Sequence, residues 1–129
     1  MVELLVCLLI VTIMAAIALP AWLDQRAKGE DSEAKLTIRT AATALDTYAS
    51  TEDTYDATPA ELEQIEPSLG EARKLRVKGS AFGFELKELS GAGTEFTYTR
   101  SAGGTVTRDC SNHGYGLCRG TLDANDNRW

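Results

Sequence analysis

Residues Leu4–Leu23 read LLVCLLIVTIMAAIALPAWL, twenty positions without a charge. At about 1.5 Å per residue, a helix of this length reaches across the roughly 30 Å hydrocarbon core of a bilayer. Thr12 is the one appreciably polar side chain, and its hydroxyl has a partner within reach on its own helix. A cleavable secretory signal fits poorly, because no basic segment stands before the run and the run is longer than a usual signal core. A buried core helix fits worse, since so small a chain has too little left to cover such a segment on all sides. The stretch predicts a membrane-spanning helix.

Two residues in this region are costly. Glu3 stands at its front edge, and a carboxylate drawn into lipid costs about 2.5–3.5 kcal/mol even on lenient scales, so it calls for a cation. Pro20 has no backbone donor, and its ring crowds the carbonyl of Ala16 one turn back, which predicts a kinked or loosened helix between Thr12 and Pro20. Ala15, Ala16, Ala18 and Ala21 cluster there, and small residues let helix backbones approach closely in lipid.

The whole chain has 129 residues, 43% hydrophobic and 25% charged, with a formal net charge of −6. Every acid but Glu3, and every base, follows Leu23. A single apolar segment excludes a polytopic channel or transporter. The acidic balance argues against nucleic acid as a partner, because phosphate binding needs a basic surface.

The helical pattern continues past the apolar run. Ala27, Ala34, Ile38, Ala41, Ala42, Leu45, Tyr48 and Ala49 recur at helical spacing. Arg26, Lys28, Glu30, Asp31, Glu33, Lys35 and Arg39 are expected on the opposite, solvated face. Gly29 is a weak point worth only about 1 kcal/mol. The spacing predicts one helix from about residue 2 to about 50. Residues 1–23 form its apolar segment and residues 24–50 its amphipathic continuation, with a head of residues 51–129 packed on the stripe.

The stretch MVELLVCLLIVTIMAAIALPAWL resembles the N-terminal segment of type IV pilins and the related pseudopilins of type II secretion. Val2-Glu3-Leu4-Leu5 and Ala15-Ala16-Ile17-Ala18-Leu19-Pro20 carry the likeness, which covers about the first 50 residues; the rest agrees in architecture. Precursors of that family carry a short basic leader ending in glycine, with the processed residue four places before the glutamate. Met1 stands two places before Glu3, so the resemblance implies that the leader and the first two mature residues precede Met1. It also implies a prepilin peptidase and an assembly machinery as partners, an inner-membrane stage before assembly, and a pairing of Glu3 with the terminal ammonium of a neighbouring subunit.

In the head, Thr51 to Ala57 reads as a polar loop. Thr58-Pro59-Ala60-Glu61 reads as a helix start, with Thr58 as cap and Glu61 completing a capping box, and Pro67 stops that helix. Acidic residues from Glu52 to Glu66 are followed by the bases Arg73, Lys74, Arg76 and Lys78. The plain reading is two solvated faces; the sharper one is charge pairing between subunits, which steers contacts more than it adds affinity. Leu75 and Val77 alternate, then Phe82, Phe84 and Leu86, then Phe96 and Tyr98, then Val106. Turn signals at Gly79-Ser80, Ser90 to Gly93 and Ala102 to Gly104 separate them. The expected fold is α+β: a long N-terminal helix packed on an antiparallel meander of about four strands, the ladle shape of pilin-like proteins.

Cys7 reads as a small apolar filler in the membrane segment. Cys110 and Cys118 have seven residues between them, and with His113 the only histidine a metal site lacks ligands. A disulfide is the better reading; closing such a loop contributes about 2–3 kcal/mol in the chain-entropy model and requires an oxidising compartment, outside the cytoplasm. Many type IV pilins carry a C-terminal disulfide loop, so the resemblance agrees. Asp123-Ala124-Asn125-Asp126-Asn127 places oxygen side chains at alternate positions, a fragment of a calcium loop without its glycine or distal glutamate. A solvated tail is the expectation there, although some pseudopilins bind calcium near the C-terminus.

No nucleophile elbow, phosphate loop or placed carboxylate pair is present, so no enzyme activity and no cofactor or metal are expected. The expected function is a structural subunit of an extracellular, cell-surface helical filament. Glu3, Thr12 and Pro20 are its assembly residues, Cys110 and Cys118 its disulfide, and identical copies its partners. The alternatives are a pseudopilin of a type II secretion system and a monomeric membrane-anchored binding domain.

Overall fold

The computed structural model describes residues 1–72 and 74–129. Arg73, the first base of the run expected to be solvated, lies outside the described residues. Helix α1 spans Val2–Glu52, about 76 Å at 1.5 Å per residue. It ends where Asp53 turns left-handed, with φ 54°, and donates its N–H to the Ala49 carbonyl. A short polar side chain tolerates that conformation better than most.

Helix α2 spans Pro59–Ile65. Thr58 and Glu61 form the reciprocal capping box: the Thr58 N–H donates to Glu61 Oε2 at 2.7 Å and the Glu61 N–H to Thr58 Oγ1 at 3.4 Å. The bonds from Thr58 hold the Glu61 carboxyl below the usual carboxylate range. Pro67 ends this helix and starts something the sequence did not announce, a 3-10 turn over Pro67–Glu71. The same fixed φ that breaks one helix suits the first position of the next.

Four strands follow, β1 Arg76–Gly79, β2 Phe84–Leu89, β3 Glu95–Arg100 and β4 Val106–Cys110. They form one antiparallel sheet in chain order. Directly paired residues share a face, so Val77, Leu86, Tyr98 and Arg108 form one inward row and Glu88, Phe96 and Cys110 the next. The outward rows are polar: Arg76, Lys87, Thr97 and Asp109, then Lys78, Glu85, Thr99 and Thr107.

The core lies between that sheet and the second half of α1. Ile38, Ala41 and Leu45 from the helix meet Leu62, Leu86 and Phe96, all fully buried. Phe84 stacks on Tyr98 with ring centroids 5.8 Å apart, and Phe96 meets the edge of Trp129 at 5.7 Å.

Two expectations for the head are corrected. Phe82 does not continue the strand pattern. It sits at the tip of the β1–β2 hairpin, 73% exposed, because Ser80 closes the turn early: the Ser80 N–H donates to the Gly83 carbonyl at 2.9 Å. The stretch from Asp123 to Asn127 is a solvated tail only in part: Ala124, Asn125 and Asp126 are exposed, but the chain end is held down. The Arg128 N–H donates to the Arg108 carbonyl at 2.8 Å, laying the chain against β4, and Asn127 and Trp129 are buried.

Candidate functional site

The first half of α1 is bare. Every residue from Met1 to Leu23 is exposed, including fourteen large apolar side chains from Val2 to Leu23. Nothing among the described residues of the head covers them, whereas Ile38 and Leu45 further along the same helix are completely covered. This is a helix long and apolar enough to cross a membrane, with none of its apolar window buried in the monomer.

The three assembly residues expected from sequence lie along this half. Glu3 occupies the first helical turn, where a carboxylate meets the positive end of the helix dipole. Thr12 Oγ1 donates to the Leu9 carbonyl at 2.7 Å, which satisfies the hydroxyl within its own helix. Pro20 lies inside the helix, and the helical conformation runs through it unbroken; its effect is the missing donor to the Ala16 carbonyl. Glu3 and Pro20 are about 25 Å apart along the axis. These residues therefore build no joint pocket within one copy. Cys7 is a free thiol exposed on the same segment.

Where the apolar stretch ends, the charges arrive already paired. Lys28 Nζ lies 2.6 Å from Asp24 Oδ2 and Arg26 Nε 3.0 Å from Glu30 Oε1, both one helical turn apart. The Arg26 guanidinium also lies over the Trp22 ring at 6.0 Å. Such exposed pairs contribute a few tenths of a kcal/mol each, so they support the helix without dominating it.

The helix holds its head through a buried carboxylate. Asp31 has no solvent exposure. Its Oδ1 accepts from Ser90 Oγ at 2.7 Å and its Oδ2 from the Leu117 N–H at 2.9 Å. One turn on, Lys35 Nζ donates to the Leu117 carbonyl at 3.1 Å and lies over the rings of Phe96 and Trp129. Burial pushes the Lys35 ammonium below its ordinary range, and the Asp31 charge opposes this. Gly116 passes over the Asp31 carboxylate with φ 58°; a side chain there would meet both a strained backbone and Oδ2.

The expectation that Asp31 and Lys35 sit on the solvated face is thus corrected. The signal was in the spacing. Ala27, Asp31, Ala34, Ile38, Ala41 and Leu45 step by four and three along one stripe, and residue type masked what position showed. Burying a carboxylate is tolerable here because both its oxygens accept hydrogen bonds.

Cys110 and Cys118 are joined in a disulfide, with Cα atoms 5.8 Å apart and both residues buried. The bond ties the end of β4 to the loop that carries Gly116 and Leu117. Beyond it, the Asp123 carboxylate is taken up by the chain itself: Oδ1 accepts from the Asn125 and Asn127 N–H groups at 2.8 and 2.9 Å. Those bonds hold Asp123 below the usual carboxylate range.

Comparison of the chain with protein-family models, curated proteins and solved structures gave no match in any of the three.

Proposed function

We propose that this chain is a structural subunit of an extracellular helical filament of the type IV pilin kind, anchored in the inner membrane before assembly. One observation carries the reading: fourteen large apolar side chains stand fully presented on one end of a helix whose other end is locked into a folded head. Covering a large apolar side chain contributes about 1.5–3 kcal/mol, so leaving them in water would cost tens of kcal/mol. In a bilayer, lipid covers them. Once extracted, the helix finds equivalent cover only against the same helix of other copies, and head-to-tail contacts that do not close propagate into a fibre.

Glu3 has a role in this arrangement. Pairing with the terminal ammonium of a neighbour, as the resemblance implies, removes two uncompensated charges from an apolar core and sets the axial register. The missing bond at Pro20 gives the helix a point of compliance in a crowded core, next to alanines that permit close approach.

The test is electron microscopy of sheared cell-surface material from cells expressing the wild type or Glu3→Leu. Long fibres from the wild type, with strong loss from the variant while both remain in the membrane fraction, are expected. Normal fibre yield from Glu3→Leu would remove Glu3 from the mechanism. Multimers retained in the envelope, without surface fibres, would favour a secretion pseudopilus. Wild-type protein that is only monomeric after extraction would make the chain an anchored binding domain.

A further inference from the structure

The head begins a fixed distance above the apolar run. The β2–β3 turn comes down beside Glu30, whose carboxyl carbon lies 2.9 Å from where a Cβ on Gly91 would stand. The disulfide loop meets the helix at the same level. Gly116 lies against Asp31 Oδ2. The Leu117 N–H donates to that oxygen, and the Leu117 carbonyl accepts from Lys35 one turn higher. The loop therefore climbs the helix from Gly116 onward, and Tyr115 stands at its lower end.

Leu23, the last residue of the uncharged run, is seven positions before Glu30 and eight before Asp31, which is about 11–12 Å of helix. The helix is continuous over this stretch, and Pro20 lies below it, so the spacing does not depend on the missing bond at Ala16. With the run matched to a hydrocarbon core of about 30 Å, the headgroup layer above it is roughly 5–8 Å deep. The lower loops of the head thus hang only a few ångströms above that layer. A spanning helix tilts by about 20° on average, and a tilt toward the head closes the gap.

The chemistry of this end suits such a surface. The chain carries 19 acids, yet neither Ser90–Gly93 nor Ser111–Gly116 contains one. The two acids on the helix just below, Asp24 and Glu30, are paired with Lys28 and Arg26, so neither is left to repel a phosphate. Tyr115 is 48% exposed, and a ring with a polar tip favours the layer between hydrocarbon and water. Trp22 stands at the lower edge of the same layer, exposed, with the Arg26 guanidinium over its ring.

We propose that, before assembly, the head rests on the phospholipid headgroups through the Ser90–Gly93 turn and the Ser111–Gly116 loop, with Tyr115 in the headgroup layer. The bonds to Asp31 and Lys35 fix the disulfide loop on the stem, and the stem fixes its height over the bilayer. The inference rests on the membrane-anchored stage of the filament reading and adds a surface contact of the head to it.

The test uses the full-length chain with Cys7→Ala, its Cys110–Cys118 bond intact, in phosphatidylcholine nanodiscs with or without a share of lipid bearing a nitroxide on its headgroup. A fluorophore is attached in turn at Trp22→Cys, Tyr115→Cys and Phe82→Cys. Phe82 is at the far end of the head, where Arg100 pairs with Asp46, fifteen positions and about 22 Å above Asp31. The nitroxide lipid should remove most of the emission at 22 and 115 and leave that at 82 unchanged. Asn112→Cys, on the same loop, repeats the measurement if Tyr115→Cys fails to fold. Quenching at 22, with the loop label quenched no more than the label at 82, would overturn the inference and leave the anchor standing. No quenching at 22 would overturn both.

Discussion

The Leu117 N–H donates to Asp31 Oδ2 at 2.9 Å, across 86 positions of sequence, and together with the Lys35 ammonium on the Leu117 carbonyl this bond seats the disulfide loop on the long helix. Ser90 Oγ meets the other carboxylate oxygen at 2.7 Å, so Asp31 also holds the β2–β3 turn. A single side chain thereby joins two loops of the head to the stem, beside the apolar core that Ile38, Ala41 and Leu45 form with the sheet.

Replacing Asp31 with Ala removes both acceptors and leaves the Ser90 O–H and the Leu117 N–H as donors without an acceptor, although Ser90 Oγ still accepts from the Thr94 N–H. The expected loss is about 2–4 kcal/mol, since each orphaned buried group costs about 1–3 kcal/mol. Gly116→Ala should reproduce part of it from the other side, through a left-handed backbone and a crowded Oδ2. Denaturant unfolding in detergent, followed by near-ultraviolet circular dichroism, measures both. Wild-type midpoints for Asp31→Ala would mean that the carboxylate is not what seats the head.

Reducing the Cys110–Cys118 bond should destabilise the head by about 2–3 kcal/mol. The exposed Cys7 thiol gives an internal control. Alkylation in detergent before reduction should modify Cys7 alone, and after reduction all three cysteines. Two further reactive thiols before reduction would refute the bond.

The fold was readable where pattern and chemistry agreed. The apolar run, the stripe from Ala27 to Leu45, the Thr58–Glu61 cap and the alternation of Phe84, Leu86, Phe96 and Tyr98 each state one structure in both languages. Reading failed where they disagreed. Asp31 has a core position and a surface side chain, and only the distant Ser90 and Leu117 make that combination stable. Glu88 stands on the inward face in step with Phe84 and Leu86 and opposite Phe96, which alternation alone marks, yet its charge hides it. Phe82 shows the reverse: an apolar residue in step with its strand, displaced because Ser80 closes the turn first. The bare helix needed no tertiary information, since its length and composition are the observation.

Trp129 Nε1 donates to the Asp109 carbonyl at 2.8 Å and its ring meets Phe96. Trp129→Ala should cost about 3–5 kcal/mol, the usual range for removing a large buried aromatic. Trp129→Phe keeps most of the ring and loses the donor, so its cost should be smaller. The difference between the two variants in thermal unfolding separates packing from hydrogen bonding. Equal losses would assign the whole contribution to the indole N–H.

Glu88 should leave the head as stable as its Gln variant in mild acid and less stable than that variant near neutral pH. Burial is the main cause that raises its carboxyl above the ordinary glutamate range; Lys74 opposes the shift and Glu33 adds to it. A carboxyl raised on folding favours the protonated form in the native state. Its contribution is fully present below about pH 4.3, the unfolded value, and is lost as pH rises through the folded value. Glu88→Gln mimics the protonated form at every pH. The thermal midpoint of the variant minus that of the wild type, taken on monomers in detergent, should therefore be near zero around pH 4 and grow more positive toward pH 7. Glu30, Glu33, Glu71 and Lys74, which line the same cleft as Glu88, remain in both proteins, so their own titration largely cancels in the difference. A difference that does not change with pH would mean that Glu88 is not held in an unfavourable site.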